Sequence, residues 1–258
     1  MNILRGAVPK EWSRHPFISR LSAYLDLSER DLESLWRLVE TELKVQKRRD
    51  LVVDGYEYRK LSFVEDGFAA RYKLLHNGKR QIINFVLPGD IVGLPASFLE
   101  KANYSVIAVT DMKLQVCAVN PFMQLCYKRP QLSLALTWFA VHEAITFADH
   151  IISTGRRTPL ERLAHLLLEL HSRLTVVGRA SESSFDLPFS QEVISDALGL
   201  SVPHLNRTLA RLRADGLIAI EDRHVEFIDK KALERLGQFQ PLNLTRVPPP
   251  VEALRIPR

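Results

Sequence analysis

Cysteine is nearly absent from this chain: Cys117 and Cys126 are the two thiols among 258 residues. That is too few for a disulfide scaffold, and too few to hold an iron-sulfur cluster on four thiolates. Long apolar runs are missing as well. No stretch approaches the roughly 18 uncharged apolar residues of a membrane-spanning helix, and the opening MNILRGAVPKEWSRH lacks the apolar centre of a signal peptide. A cytoplasmic protein with no membrane partner is expected. The eight histidines form no close ligand pair of the HxH or HExxH kind, so no metal and no haem are expected. His142 and His150 read as surface or interface residues. Charge of one sign is not in large excess. The net charge of +5 and the pI near 9.3 favour a polyanionic partner only mildly, since residues 156 to 235 hold twelve basic and twelve acidic side chains.

What is present is concentrated in Ser190 to Leu212, SQEVISDALGLSVPHLNRTLARL. Ser190 can cap a helix, and Glu192 suits the positive end of its dipole. Ile194, Ala197 and Leu198 share one face of that helix. Gly199 supplies the freedom that ends it, Leu200 fills the corner, and Ser201 caps a second helix whose first turn tolerates Pro203. In the second helix Leu205, Leu209 and Leu212 face inward at i, i+4 and i+7. Pro203, Asn206, Arg207 and Ala210 are left outward, and no acidic residue occurs between Gly199 and Ala214, whereas Arg207, Arg211 and Arg213 do. A major groove about 12 Å wide accepts such a helix, with Arg paired to guanine and Asn to adenine. The segment Gly216 to Ile228 then reads as strand, turn and strand, a β-hairpin directly behind the second helix. The whole predicts a winged helix-turn-helix that reads double-stranded DNA, with Ser190, Ser201, Val202, Pro203, His204, Asn206, Arg207 and Arg211 as its contact residues.

Here the pattern ALGLSVPHLNRTLARLRADGLI resembles the DNA-binding domain of the Crp/Fnr family of bacterial transcription regulators, in the FixK-like branch abundant in alphaproteobacteria, over Pro16 to Leu236. The resemblance implies a homodimeric, sequence-specific regulator on a palindromic operator, and contact with RNA polymerase if it activates. In much of that family a glutamate precedes the recognition arginine by four residues. Pro203 stands in the glutamate's place and Arg207 keeps the arginine's, so the half-site should differ from the family's usual one at that base pair.

The rest of the chain divides around this motif, with an α+β architecture. Residues 1–120 are expected to hold N-terminal helices and a β-barrel, 121–155 a dimerisation helix and hinge, 156–237 the DNA-binding domain, and 238–258 a disordered Pro-rich tail. Residues 1 to 15 look loosely ordered. Pro16 to about Leu43 reads as helix, with a start at Ser28 and Asp31. Period-two runs at Leu51–Val53, Arg59–Val64, Ala69–Leu75, Gln81–Val86, Tyr104–Val109 and Lys113–Val119, with turns at His76-Asn77-Gly78-Lys79 and Pro88-Gly89-Asp90, suggest a jelly roll. Pro121 to Ile152 is expected as helix, on which Leu134, Trp138, Val141, Ile145, Ala148 and Ile152 form a heptad seam fit to pair with its twin. Leu132, Leu136, Phe139 and Phe147 would pack the opposite face on the barrel. Gly155 to Arg157 reads as a hinge, Pro159 to Leu174 as helix, and Gly178 to Asp186 as a polar loop.

The same resemblance identifies a possible effector pocket. Cyclic-AMP-binding members hold ribose and phosphate with a Gly-Glu pair and an Arg-Ser pair, and the matching positions are Gly93-Leu94 and Tyr104-Ser105. Both charged groups are replaced. A buried phosphate without its cation is costly, so cyclic AMP is not expected. The barrel is left either as a sensor of another effector or as a scaffold that senses nothing. Both thiols read as buried and inert, since a redox switch needs an exposed thiol of low pKa. A metal-cupin enzyme is disfavoured because His76 is the one histidine between Phe17 and Phe139, and no catalytic residue stands out. The remaining alternative is a ligand-binding barrel that acts through protein contacts without reading DNA.

Overall fold

The computed structural model describes residues 8–24 and 26–241. A short 3-10 turn at Lys10–Arg14 buries Trp12, so residues 8–15 are more ordered than the sequence suggested; residues 1–7 lie outside the described ones. Two helices follow, α1 (Pro16–Tyr24) and α2 (Glu29–Leu38). Ser28 and Asp31 close the reciprocal capping box at the start of α2. The helical expectation to Leu43 is corrected: Thr41–Val45 is strand β1, a largely exposed edge strand whose side chains carry no inside-outside alternation.

Seven further strands complete the barrel: β2 (Asp50–Val52), β3 (Lys60–Asp66), β4 (Ala69–Leu74), β5 (Arg80–Val86), β6 (Ile91–Val92), β7 (Ser105–Ala108) and β8 (Met112–Ala118). They form two antiparallel four-stranded sheets, ordered β1-β8-β3-β6 and β2-β7-β4-β5. Val64, Val86, Val106, Leu114 and Val116 fill the space between them. Strand β3 is buried on both faces, because Leu61 and Phe63 point away from the barrel into a second core made with Phe17, Leu21, Leu35 and Phe139. Asn77-Gly78 makes the β4–β5 turn with Gly78 at φ +78°, a conformation open to glycine.

The expected helix from Pro121 to Ile152 is two helices, α3 (Val119–Lys128) and α4 (Pro130–Arg156). Pro130 disfavours helical torsions at Arg129 (φ −131°, ψ 83°) and then opens α4 as its first residue. The 27 residues of α4 span about 40 Å. The hinge is also displaced: Gly155 and Arg156 remain helical, and the chain breaks at Arg157, where φ −74° and ψ 145° are extended. Thr158 caps α5 (Pro159–Val176) in a capping box with Glu161, and Pro159 enforces the break before it.

Helices α6 (Gln191–Leu198) and α7 (Val202–Ala214), strands β10 (Ile218–Glu221) and β11 (His224–Phe227), and α8 (Lys230–Gly237) complete the C-terminal part. The loop expected at Gly178 to Asp186 contains a strand, β9 (Ser184–Asp186), which pairs with β11 and makes the wing three-stranded. Leu163, Leu167, Leu205, Leu212, Ile218, Val225 and Leu233 form this part's core, and that core is continuous with Ile82, Phe85 and Leu87 of the barrel. Phe85 stacks on Phe189 with ring centroids 4.2 Å apart. The tail residues 242–258 lie outside the described ones.

Candidate nucleic-acid interface

The reading face is built by local capping and one apolar stripe. The Ser190 hydroxyl accepts from the Val193 amide at 3.3 Å and starts α6. Gly199 ends it in the left-handed region at φ +65°, and Ser201 accepts from the His204 amide at 3.4 Å to start α7. Leu205, Leu209 and Leu212 are buried together with Thr208, whose hydroxyl donates to the His204 carbonyl. That anchors the inner face. Pro203, Asn206, Arg207 and Ala210 are all exposed, while Val202 and His204 are half-buried at the helix entry. Among the described residues neither Asn206 nor Arg207 has a side-chain partner, so their donors face solvent unspent. Arg211, one turn further on, holds Asp215 at 2.8 Å.

The wing adds a cation that periodicity did not single out. Asp222 and Arg223 both have positive φ, 45° and 66°, the geometry of a two-residue hairpin turn, and Arg223 stands exposed at its tip. The signal was the four-residue span between two short apolar runs.

The helix pair does not hang free of the barrel. Arg80 of β5 binds the Asp196 carboxylate through two nitrogens, at 2.8 and 2.6 Å. Gln81 donates to the Asp196 carbonyl, one of those left without an amide partner at the end of α6, at 3.0 Å. On α4, Leu134 and Trp138 are half-buried and Val141, Ile145, Ala148 and Ile152 are exposed, so the seam forms an apolar stripe open to solvent in a single chain. The other face is spent inward, with Leu132 and Phe139 buried and Leu136 and Phe147 half-buried.

Comparison with known proteins agrees with this geometry. Residues 161–236 match the model of the Crp-like helix-turn-helix domain, and residues 42–129 match that of the cyclic nucleotide-binding domain. The nitrogen fixation regulation protein FixK of Bradyrhizobium diazoefficiens is 33% identical over 222 residues, which cover 85% of this chain and 90% of that protein. The chain belongs to the Crp/Fnr family. The transcriptional activator protein FnrL of Cereibacter sphaeroides is 31% identical over 197 residues, 74% of this chain and 79% of FnrL. The solved structure of FixK2 from Bradyrhizobium japonicum superposes with a TM-score of 0.70 at 27% identity, over 78% of this chain and 98% of that one. Crp/Fnr proteins are transcription regulators, not enzymes, and bind DNA through the helix-turn-helix.

In this Crp/Fnr regulator the effector positions are engaged by the chain itself. Gly93 sits at φ +95°, and a Cβ there would lie 2.3 Å from the Tyr58 ring and 2.5 Å from the Lys60 carbonyl. Tyr104 is buried with its hydroxyl accepting from the Ala96 amide at 3.3 Å. Ser105 accepts from the Asp54 amide at 3.0 Å, and Leu94 is half-buried. Sequence alignment missed the cation that does approach this place: Arg71 of β4, buried, lies 4.8 Å above the Tyr104 ring. One of its nitrogens pairs with Glu143 of α4 at 3.3 Å, while its buried Nε has no hydrogen-bond partner among the described residues. At the aligned positions themselves, Leu94 and Tyr104 bring no charged group to a ligand.

Burial pushes the Cys117 thiol up to about 12 and the Cys126 thiol up to about 11, far from a reactive thiolate. Among the described residues no three His, Cys, Asp or Glu side chains gather as a metal site, and no helix is long and apolar enough to cross a membrane.

Proposed function

We propose that this regulator works in the cytoplasm as a homodimer paired along the α4 seam, reads a palindromic operator with Asn206 and Arg207, and needs neither cyclic nucleotide nor metal to do so. One observation carries the reading: the apolar stripe from Val141 to Ile152 is left uncovered on the long helix while the opposite face of that helix is buried on its own barrel. A twin helix is the partner whose pattern matches it. Two-fold symmetry would then set the recognition helices roughly 34 Å apart, one turn of DNA. The replacement of both charged ligand-binding groups, at Leu94 and Tyr104, supports function without cyclic AMP, and an activating role would add RNA polymerase as a partner.

The test is selection from a random pool of duplexes by the purified full-length protein with no ligand added, alongside Arg207→Ala and Ile145→Asp. Enrichment of a palindrome by the unmodified protein is the expected result. Ile145→Asp should sediment as a monomer and enrich half-sites weakly or not at all. A dimer unaffected by that change would remove α4 from the interface, and failure to enrich any sequence would favour the barrel acting through protein contacts.

A further inference from the structure

His150 on α4 occupies the point where the barrel, the long helix and the DNA-binding domain meet. Its Nδ1 lies 2.8 Å from the Ile83 carbonyl of β5, and its Nε2 lies 2.6 Å from the Glu169 carboxylate of α5. A carbonyl oxygen and a carboxylate are both acceptors, whereas a neutral imidazole offers one donor and one acceptor. Both contacts are satisfied together only by an imidazolium. His142, two turns earlier on the same helix, shows the opposite arrangement: its Nδ1 faces the Arg20 guanidinium at 3.4 Å, which can only donate, so this ring is the acceptor and neutral.

From His150 the charges alternate through the joint. Glu169 also accepts from Arg173 at 3.0 Å, Arg173 donates to Asp90 at 2.6 Å, and Asp90 pairs with Arg20 of α1. Arg173 reaches the Phe85 carbonyl of β5 as well, at 2.9 Å. Thus β5 is bonded to α4 through Ile83, to α5 through Phe85, and to α6 through Arg80 and Gln81. These links fix the plane from which α7 presents Asn206 and Arg207.

We propose that His150, as an imidazolium between the barrel and the DNA-binding domain, is the positioning residue that holds the recognition helix in its reading pose, and that its deprotonation releases that pose. The inference rests on the DNA-reading function proposed above. The charged and titratable groups facing His150 come from each element packed there. From α5 these are Glu169, Arg173, and Arg162 and His165 across a small shared cavity. From α4 itself there is Asp149, which is occupied by Arg157. From β5 there is the Ile83 carbonyl, with Arg80 of the same strand spent on Asp196 of α6. Burial would lower the His150 pKa and the Arg173 charge adds to that, but the Glu169 charge and the hydrogen bonds to Glu169 and Ile83 outweigh both and hold it above the ordinary 6.5. Burial would raise Glu169, and His150 and Arg173 overcome that too, bringing it down to about 2. A group raised on folding stabilises fully below its unfolded pKa, and that contribution disappears as pH rises through the folded value. The clamp is therefore closed below the ordinary histidine range and opens as pH rises through the raised value.

The decisive experiment follows the full-length protein from about pH 6 to about pH 9, the range in which a raised histidine titrates. Nitrogen-15 shifts of the His150 ring should show both nitrogens protonated at the acidic end, and Glu169→Gln should move the midpoint down. Affinity for the selected operator should fall about tenfold through the same midpoint, an ordinary size for a coupling between two sites, while His150→Gln should bind weakly at every pH without that step. Small-angle scattering, which needs no DNA, should show the chain extending above the midpoint. A single protonated ring nitrogen at the acidic end, or parallel affinity profiles for the unmodified protein and His150→Gln, would overturn the proposal. If no operator is bound at any pH, the DNA reading fails, and the nitrogen-15 and scattering titrations still decide whether the clamp exists.

Discussion

The reading face and the joint behind it are built on opposite principles. On α7 Asn206 and Arg207 are exposed and, among the described residues, unpartnered, and the buried residues beneath them are apolar, with Thr208 bonded back to its own helix. At the joint the functional side chains are themselves buried or half-buried: Arg20, Asp90 and Glu169, buried, and Arg173 and His150, half-buried, form an alternating chain of ion pairs. A surface that must meet a partner keeps its donors free, whereas a surface that must hold two bodies at one angle uses directional bonds and tolerates the cost of desolvating charge. Damage should accordingly appear as lost recognition at the first and as lost stability at the second.

Breaking the joint should have the largest effect. Glu169→Ala leaves the half-buried His150 and Arg173 without their buried carboxylate, and removing one partner of a buried pair costs about 3–5 kcal/mol. Thermal unfolding should move down accordingly while α7 keeps its sequence. The acid limb of the unmodified protein reports the same group: Glu169 is held down to about 2 from its ordinary 4.5, so its contribution is present above the higher value and is lost as pH falls towards the lower. Unchanged thermal stability in Glu169→Ala would mean the joint is not under load in solution.

Next comes Leu205→Ala, which strikes the scaffold of the reading face. Leu205 is fully buried, and truncating such a leucine costs about 2–5 kcal/mol. Calorimetry should show it as destabilisation, and DNA binding should fall only in proportion to the unfolded fraction. Retained stability would mean that α7 is not anchored through this stripe. Arg207→Ala is the converse. It should leave thermal stability unchanged and remove about 1–3 kcal/mol of discrimination at one base pair of each half-site, measured as relaxed enrichment in duplex selection.

The two regions also differ in how far they could be read from sequence. Ser190, Gly199, Ser201 and the Leu205, Leu209, Leu212 stripe act within two dozen consecutive residues, so helix boundaries and the outward face follow from caps and period alone. The Asn77-Gly78 turn and the Ser28-Asp31 box were legible for the same reason. Strand β1 was not, because an exposed edge strand has no buried side to create alternation. Strand β9 is three residues long, too short to show a period, and takes its conformation from pairing with β11. The end of α4 was misplaced at Gly155, whose helical torsions cost little on an exposed face; the break is set two residues later by the proline that follows Thr158. His150 read as a surface or interface histidine with no role at a joint, since its partners lie 67 and 19 positions away, and nothing local marks it. Arg71 was missed for the same reason, as its partner Glu143 is 72 positions distant.

The smallest effect should come from Arg211, and it is the finest test of where recognition ends along α7. Its guanidinium is mostly exposed, at 69%, and pairs with Asp215 one turn later on the same helix. Such a surface pair contributes about 0.3–0.5 kcal/mol, so Arg211→Ala should fold as before. Recognition helices place their N-terminal residues against base edges, and Arg211 lies in the last turns of α7. It should therefore meet phosphate instead of base. The expected signature is a uniform loss of affinity across all sequences and a salt dependence shallower by about one counterion, with the selected operator unchanged. A relaxed preference at any base pair would mean that α7 enters the groove along its whole length, and the boundary between reading and anchoring would then fall at the wing.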